Sequence, residues 1–275
     1  MPILCPICGS DTRLLAKHPD ADIYRCESCS HAFSDMASMP KQEEYGAEYF
    51  DDTHRRWFEH PNTQLFDRVA AFIPQGGSVL DVGCGRGDFL RHVSRTRPDA
   101  KLTGIDFAPN QDDKIKFLQG DILTLDPDTL NSGERYDVVV SLSVIEHVPD
   151  CVGFARRMGE LTKPGGVTIV NTPNEASILY GLGRAGRMLG VPLAFNRLYS
   201  RHHLHHFTPK SLRTLLESCG LKVSNHIMYN APIQAMDLPV RNAAADAVLR
   251  SGVWVVFAAG SLTRKTYLQT IVCKG

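Results

Sequence analysis

Ser78-Val79-Leu80-Asp81-Val82-Gly83-Cys84-Gly85-Arg86-Gly87-Asp88-Phe89-Leu90 reads as a strand, a glycine turn and the start of a helix. Such a loop lets a ligand lie against bare backbone, because glycine adopts the turn conformations and presents no side chain. A dinucleotide fingerprint, G-x-G-x-x-G, would need its third glycine at position 88 and a backbone cradle for pyrophosphate. Position 88 is Asp. Carboxylates at Asp81 and Asp88 face an anion unfavourably and suit a ligand with an amino group and a sulfonium charge.

Outward from this loop, apolar runs of strand length alternate with helical patterns: Val79-Leu80, Leu102 to Ile105, Ile115 to Leu118, Tyr136 to Leu142 and Val167 to Val170. The alternation predicts an α/β fold with a doubly wound parallel sheet. The second strand ends at Gly104-Ile105-Asp106, where a carboxylate can accept hydrogen bonds from two ribose hydroxyls, so Asp106 is the leading cofactor residue. The third closes on Gln119-Gly120-Asp121-Ile122, where a carboxylate and a backbone amide can read an adenine edge. Before the loop, residues 39–75 form an aromatic-rich connector (Tyr45, Tyr49, Phe50, Trp57, Phe58, Phe66) that becomes helical toward Phe72.

The N-terminus carries a second constellation. Cys5-Pro6-Ile7-Cys8 is followed seventeen residues later by Cys26-Glu27-Ser28-Cys29, the C-x2-C, loop, C-x2-C spacing of tetrahedral zinc sites. Four thiolates close the coordination shell and leave no position for water, so the spacing predicts a structural zinc ribbon over residues 1–38, with a disulfide or redox pair as the competing reading. His31 is surplus to that set and is expected to be solvated or packed.

Charge narrows the partners. The chain of 275 residues has 30 basic and 30 acidic side chains, so it offers no broad pull toward polyanions. Residues 1–60 hold six Lys or Arg against eleven Asp or Glu, which makes the ribbon poorly suited to nucleic acid. Met1-Pro2-Ile3-Leu4 has no signal-peptide character, and the remaining cysteines (Cys84, Cys151, Cys219, Cys273) are scattered through apolar surroundings, which favours a reducing cytoplasm. The apolar run Val253 to Ala259 falls well short of the roughly 18 residues of a membrane span and reads as core. Residues 174–213 contain six Lys or Arg and one Glu among Ile178, Leu182, Met188, Leu189 and Phe195. We read 174–207 as a lid insertion, with an acidic acceptor site or a peripheral membrane contact as sharper alternatives.

The motifs VLDVGCGRG, GID, GDI, YDVVVSLSVIEHV and LTKPGGVTIVNTPN, in that order over residues 76–275, resemble the class I S-adenosylmethionine-dependent methyltransferases. IEHV and the later His203-Leu204-x-x-Phe207 resemble the ubiquinone O-methyltransferase type. The N-terminal CPICG, YRCESC and EYGAEYF resemble zinc-ribbon methyltransferases of sugar and natural-product pathways, although large sugar C-methyltransferases of that kind carry a further C-terminal domain that has no counterpart here. The resemblance implies a Rossmann-like seven-stranded sheet whose last strand, Lys265 to Lys274, runs antiparallel. It also implies S-adenosylmethionine lying across Asp81, Gly83, Cys84, Gly85, Gly87, Asp106, Phe107, Asp121, Ile122 and Ser141.

Methyl transfer needs alignment and desolvation, and a hydroxyl nucleophile gains from a base that titrates near neutrality. His147 follows the fourth strand beside the cofactor and is the first candidate; a packing role is the alternative. His203 belongs to Arg201-His202-His203-Leu204-His205-His206-Phe207, ahead of a helix capped by Thr208 with Pro209 in its first turn. An H-H-x-H-H run does not define a closed metal shell, so acceptor binding or proton handling is the preferred reading. The expectation is O-methylation of a small hydroxylated acceptor such as a sugar, polyketide or quinone-like intermediate. C- or N-methylation, RNA methylation and a non-catalytic cofactor-binding module are the alternatives.

Overall fold

Strands buried on both faces are mainly apolar, and β4 (Ser78–Val82) is buried at all five positions, with Asp81 the one ionisable side chain among them. In the computed structural model, which describes residues 2–39, 55–238 and 242–274, β4 sits inside a seven-stranded sheet. Its neighbours are β5 (Lys101–Asp106), then β6 (Ile115–Gln119), on one side, and β7 (Tyr136–Leu142), then β8 (Thr162–Pro173), on the other. β11 (Leu268–Lys274) pairs antiparallel with β8 and with the edge strand β10 (Lys222–Tyr229), while the pairings among β4 to β8 are parallel. The reversed last strand is thus where the resemblance puts it, three residues shorter at its start.

Successive residues feed opposite faces. Leu80, Val139 and Ile271 pack with Phe154, Met158 and Leu215 from α5 (Cys151–Leu161) and α8 (Pro209–Ser218). Val79, Val138 and Val272 pack with Val69, Phe89 and Val93 from α2 (Thr63–Ala70) and α3 (Asp88–Thr96). The Thr208 cap and the Pro209 that follows it are those read from the sequence, and the structure completes them as a capping box in which Thr208 and Ser211 exchange side-chain and backbone hydrogen bonds. The chain runs β4, β5, β6 outward and returns to β7 on the other side of β4, which creates a crevice at the carboxyl ends of these strands.

The N-terminal residues form β1 (Thr12–Ala16), β2 (Ile23–Cys26) and β3 (Ala32–Ser34). A fourth strand, β9 (His205–His206), joins them by pairing antiparallel with β3, Ala32 opposite His206 and Phe33 opposite His205. The ribbon is therefore stitched to the segment that follows the insertion helices α6 (Ile178–Met188) and α7 (Leu193–Leu198). Beneath this junction Glu175 is met by Arg25 of β2, Arg184 of α6 and the Tyr199 hydroxyl. His31 is fully buried, its ring against Phe33, His205 and Phe207, which settles it as a packed residue.

Of the connector, α1 (Arg55–Glu59) and α2 are helical, while Tyr45, Tyr49 and Phe50 lie outside the described residues. The run Val253 to Ala259 is not core. It belongs to a 21-residue helix, α9 (Ala243–Thr263), in which Phe257 and Gly260 are the buried residues. The strict apolar run underestimates the helix because Arg250, Ser251 and Gly252 interrupt it without breaking its hydrogen bonding. A short helix, α4 (Pro127–Asn131), separates β6 from β7.

Candidate functional site

The glycine loop departs from β4 with Gly83, Gly85 and Gly87 all in the left-handed region. At Gly83 (φ 71°) an added Cβ would also meet Val144 at 2.5 Å, so glycine is required twice over, for conformation and for space. Asp106, at the end of β5, fastens the loop: its carboxylate oxygens accept from the Gly85 amide at 2.8 Å and the Ala108 amide at 2.9 Å. Above the loop opens a cavity of about 600 Å³, within the range of small-molecule sites.

Asp81, Gly83, Cys84, Gly85, Asp106, Phe107, Asp121 and Ile122 line this cavity. The two remaining expected cofactor residues stand back from it. Gly87 caps α3, where its missing side chain leaves room for Phe117. Ser141 is fully buried within β7, because the strand continues one residue further and turns only at Ser143 (φ 59°); Leu142 and Ser143 face the cavity in its place.

The cavity is acidic. Burial, with Asp106 and Asp88 adding repulsion, pushes the Asp81 carboxyl up to about 8. Burial likewise raises Asp88, against the opposing pull of Arg91 and Arg86. Carboxylates gathered this closely repel one another, and a cationic ligand relieves the repulsion.

Opposite the loop, the turn at Ser143 delivers a 3-10 segment, Ile145–His147. Glu146 is buried and lines the cavity; its Oε2 accepts from Thr172 Oγ1 at 2.8 Å, and its Oε1 is buried without a hydrogen-bond partner. Burial pushes its carboxyl up to about 7. His147 Nδ1 lies 2.6 Å from the His202 carbonyl, which makes Nδ1 the donor and gives the lone pair of the neutral ring to Nε2. The His203 ring stands edge-on to His147, with centroids 4.9 Å apart. Ligand-capable atoms of Glu146, His147 and His203 all fall within 4.8 Å of one another, close enough for one cation to bridge them.

The histidine run is thereby divided. His203 lines the cavity, whereas His205 and His206 are buried in β9, and burial holds both rings below the usual histidine range, His205 at about 4. Sequence reasoning passed over Glu146 as a titrating group and the walls given by Trp57, Phe58, Leu65 and Phe66, although the aromatic density of the connector was visible. Ala235 and Tyr267 close the far side.

At the N-terminus, Cys5, Cys8, Cys26 and Cys29 bring their sulfurs within 4.8 Å of one another, with Cys5 to Cys29 at 3.6 Å and Cys8 to Cys26 at 3.4 Å. A tetrahedral zinc with sulfurs at about 2.3 Å separates them by about 3.8 Å, so the quartet fits a metal shell. Gly9 (φ 69°) and Ser30 (φ 63°) supply the left-handed residue after each pair.

Comparison with known proteins now bears on the site. The family described as "Methyltransferase domain" matches residues 52–226. A ubiquinone biosynthesis O-methyltransferase of Cereibacter sphaeroides is 30% identical over 200 residues, covering 66% of this chain and 78% of that protein. Its counterpart in Azorhizobium caulinodans is 34% identical over 123 residues, covering 41% of this chain but only 46% of that protein. Among solved structures, the complex of the Haloferax volcanii Trm112 methyltransferase activator with the putative methyltransferase aligns with a TM-score of 0.56 at 16% identity, covering 86% of this chain and 99% of the matched one. A SAM dependent methyltransferase from Archaeoglobus fulgidus aligns at 0.51 and 17%, covering 85% and 100%. At such identities the structures speak to the fold alone, while the family match carries the activity: this chain belongs to the methyltransferase-domain family and is an S-adenosylmethionine-dependent methyltransferase.

Proposed function

We propose that the chain methylates a hydroxyl of a small aromatic, quinone-like acceptor. The observation that carries this reading is a single cavity with an acidic glycine-loop floor, a Glu146, His147 and His203 cluster opposite, and aromatic walls from α1 and α2. The names of the curated relatives point to the same acceptor class.

S-adenosylmethionine supplies a methyl group already activated by positive sulfur. The residues of the chain hold, orient and desolvate. Gly83, Cys84 and Gly85 offer backbone on the floor, Asp106 accepts from ribose hydroxyls, and Asp121 with Ile122 borders the adenine, beside the exposed Phe107. Asp81 and Asp88 favour the cationic end. His147, fixed through Nδ1, takes the acceptor proton at Nε2, and Glu146 and His203 stand within reach of that charge. Trp57, Phe58 and Phe66 suit a flat ring better than a sugar, and the charge of residues 1–60 weighs against RNA.

The cysteine quartet holds a structural zinc in this proposal, and a reducing cytoplasm keeps its thiols available. The test is calorimetric titration with S-adenosylhomocysteine beside Asp106→Ala, followed by methylation assays on simple catechols and hydroquinones. We expect saturable binding, weakened at least about a hundredfold in the variant, and methyl transfer to a phenolic oxygen. Absent binding by folded wild type would refute the site; intact binding without phenolic methylation would refute the acceptor.

A further inference from the structure

Surface helices ordinarily turn apolar residues inward and charges outward. Helix α9 does the reverse. Its two charged residues, Asp246 and Arg250, pair with each other, and the Arg250 guanidinium also donates to the carbonyls of Ile233 and Met236 on the protein side. Phe257 and Gly260, buried, share that side. At about 100° per residue, Val248, Ser251, Trp254, Val255, Ala258 and Leu262 fall together on the opposite side, along with small residues and no charge. Val248 is 71% exposed, Trp254 62% and Leu262 88%. From Ala244 to Leu262 this stripe runs about 27 Å.

By length and composition α9 is able to cross a bilayer, but its anchors forbid it. Midway, the Asn230 side chain donates to the Phe257 carbonyl and Ser261 Oγ; at its end, the Ile178 amide donates to the Lys265 carbonyl and the chain enters the central sheet as β11. The helix is held lengthwise against the methyltransferase domain, with one face outward.

A second apolar surface adjoins it. Helix α6 packs on α9, and the turn that follows α6 exposes Met188, Leu189, Val191 and Leu193. Arg187 adjoins Met188 in the last turn of α6, the exposed Arg197 lies on α7, and the exposed Arg264 and Lys265 follow α9 directly. An α9 face of apolar residues with an interfacial tryptophan and no charge, bordered by cations, matches the boundary between headgroups and acyl chains of an anionic bilayer.

We propose that the outer face of α9, with the 188–193 turn, docks this protein on an anionic lipid surface, α9 lying in the plane of the membrane. The main element of this surface lies outside the 174–207 insertion in which the sequence alone suggested lipid contact. The surface borders the cavity: Tyr267 and Ala235 line it, Tyr267 stacks on Phe257 of α9, and the turn Ile233–Ala235 packs on the same helix. If the acceptor is apolar, as the proposed function has it, docking delivers it beside the cavity; the lipid contact itself does not depend on that reading.

The test is co-sedimentation of the full, zinc-loaded chain with vesicles of phosphatidylcholine alone and with vesicles containing phosphatidylglycerol. Trp254 emission is read in a Trp57→Phe background, since these are the chain's two tryptophans. We expect preferential binding to phosphatidylglycerol vesicles with a blue shift. The pair Val248→Glu and Trp254→Glu should lower partitioning at least about tenfold while affinity for S-adenosylhomocysteine and circular dichroism stay unchanged. No sedimentation, equal binding to neutral vesicles, or binding untouched by the two substitutions would overturn the proposal. So would a dimer that ignores vesicles and becomes monomeric in the double variant, which would assign the face to a second copy of the chain.

Discussion

Replacing Glu146 with Gln separates two contributions to stability by their dependence on pH. In the folded chain this carboxyl is pushed up to about 7 from its ordinary 4.5, because burial disfavours the ionised form. For an acid whose folded value is raised, stability is full below the unfolded value and declines as pH rises, until the folded group has also ionised. Here the decline runs from about pH 4.5 to about pH 7, at ~1.4 kcal/mol per pH unit, and totals ~3 kcal/mol, of which ~2–3 kcal/mol accrues between pH 5 and pH 8. Glutamine cannot ionise and removes that decline. It retains an oxygen for Thr172 Oγ1 but puts an amide nitrogen where Oε1 has no partner, a pH-independent cost of ~1–3 kcal/mol. The variant is therefore expected to be less stable than wild type at pH 5 and to gain ~2–3 kcal/mol on it by pH 8. Urea unfolding of both proteins at intervals from pH 5 to pH 8, without ligand, measures this directly. Asp81 contributes equally to both proteins and cancels from the difference. A gap between the curves that stays constant to within ~1 kcal/mol would refute the buried, neutral Glu146 on which the argument stands.

Gly83→Ala combines left-handed backbone with a Cβ against Val144; we expect a loss of ~2 kcal/mol or more in thermal or urea unfolding, partly restored by Val144→Ala. His147→Ala is expected to lower kcat by about a hundredfold or more with little change in affinity for S-adenosylhomocysteine; equal loss of both in parallel kinetics and calorimetry would assign His147 to packing alone. Cys26→Ser should take metal content, measured by atomic emission on the purified protein, from one zinc per chain to well below it, and undiminished zinc would remove the thiolate quartet as its site.

The glycine loop, the strand-end carboxylates and the central strands were legible because each is written locally: an apolar run of strand length, a glycine where φ is positive, an acid at the end of an apolar run. Ser141 came from the resemblance alone: the strand was read to Leu142, where β7 ends, but an apolar run does not say which of its last residues faces the cavity. The environment of Glu146 was illegible for a different reason. Its burial is made by Thr172 from β8 and by backbone from residues near 204, distant in sequence, and a carboxylate's titration follows its surroundings. Helix α9 was misread because apolar composition predicts burial only where something covers it, and the covering is a property of the whole surface.

The ribbon poses the same question of distance, and hydrogen bonds answer it. The Ser34 amide of β3 donates to the Leu204 carbonyl at 2.9 Å, and the Leu204 amide donates in turn to the Glu146 carbonyl at 2.8 Å. Ser34 Oγ reaches the His203 carbonyl at 3.3 Å. One peptide segment is thus held from one side by the strand that follows Cys26 and Cys29, and from the other by the turn that carries Glu146 and His147. Its side chain at 203 faces the cavity while its next residues, His205 and His206, complete the ribbon's sheet. A buried β-pairing of two residues is too short to be stable by itself, so it persists only while both partners are ordered. The position of His203 therefore depends on the folding of the ribbon, and the ribbon's exposed edge is closed by the segment that bears His203. An N-terminal module with none of its described residues in the cavity is in this way part of what shapes the wall where the acceptor would lie.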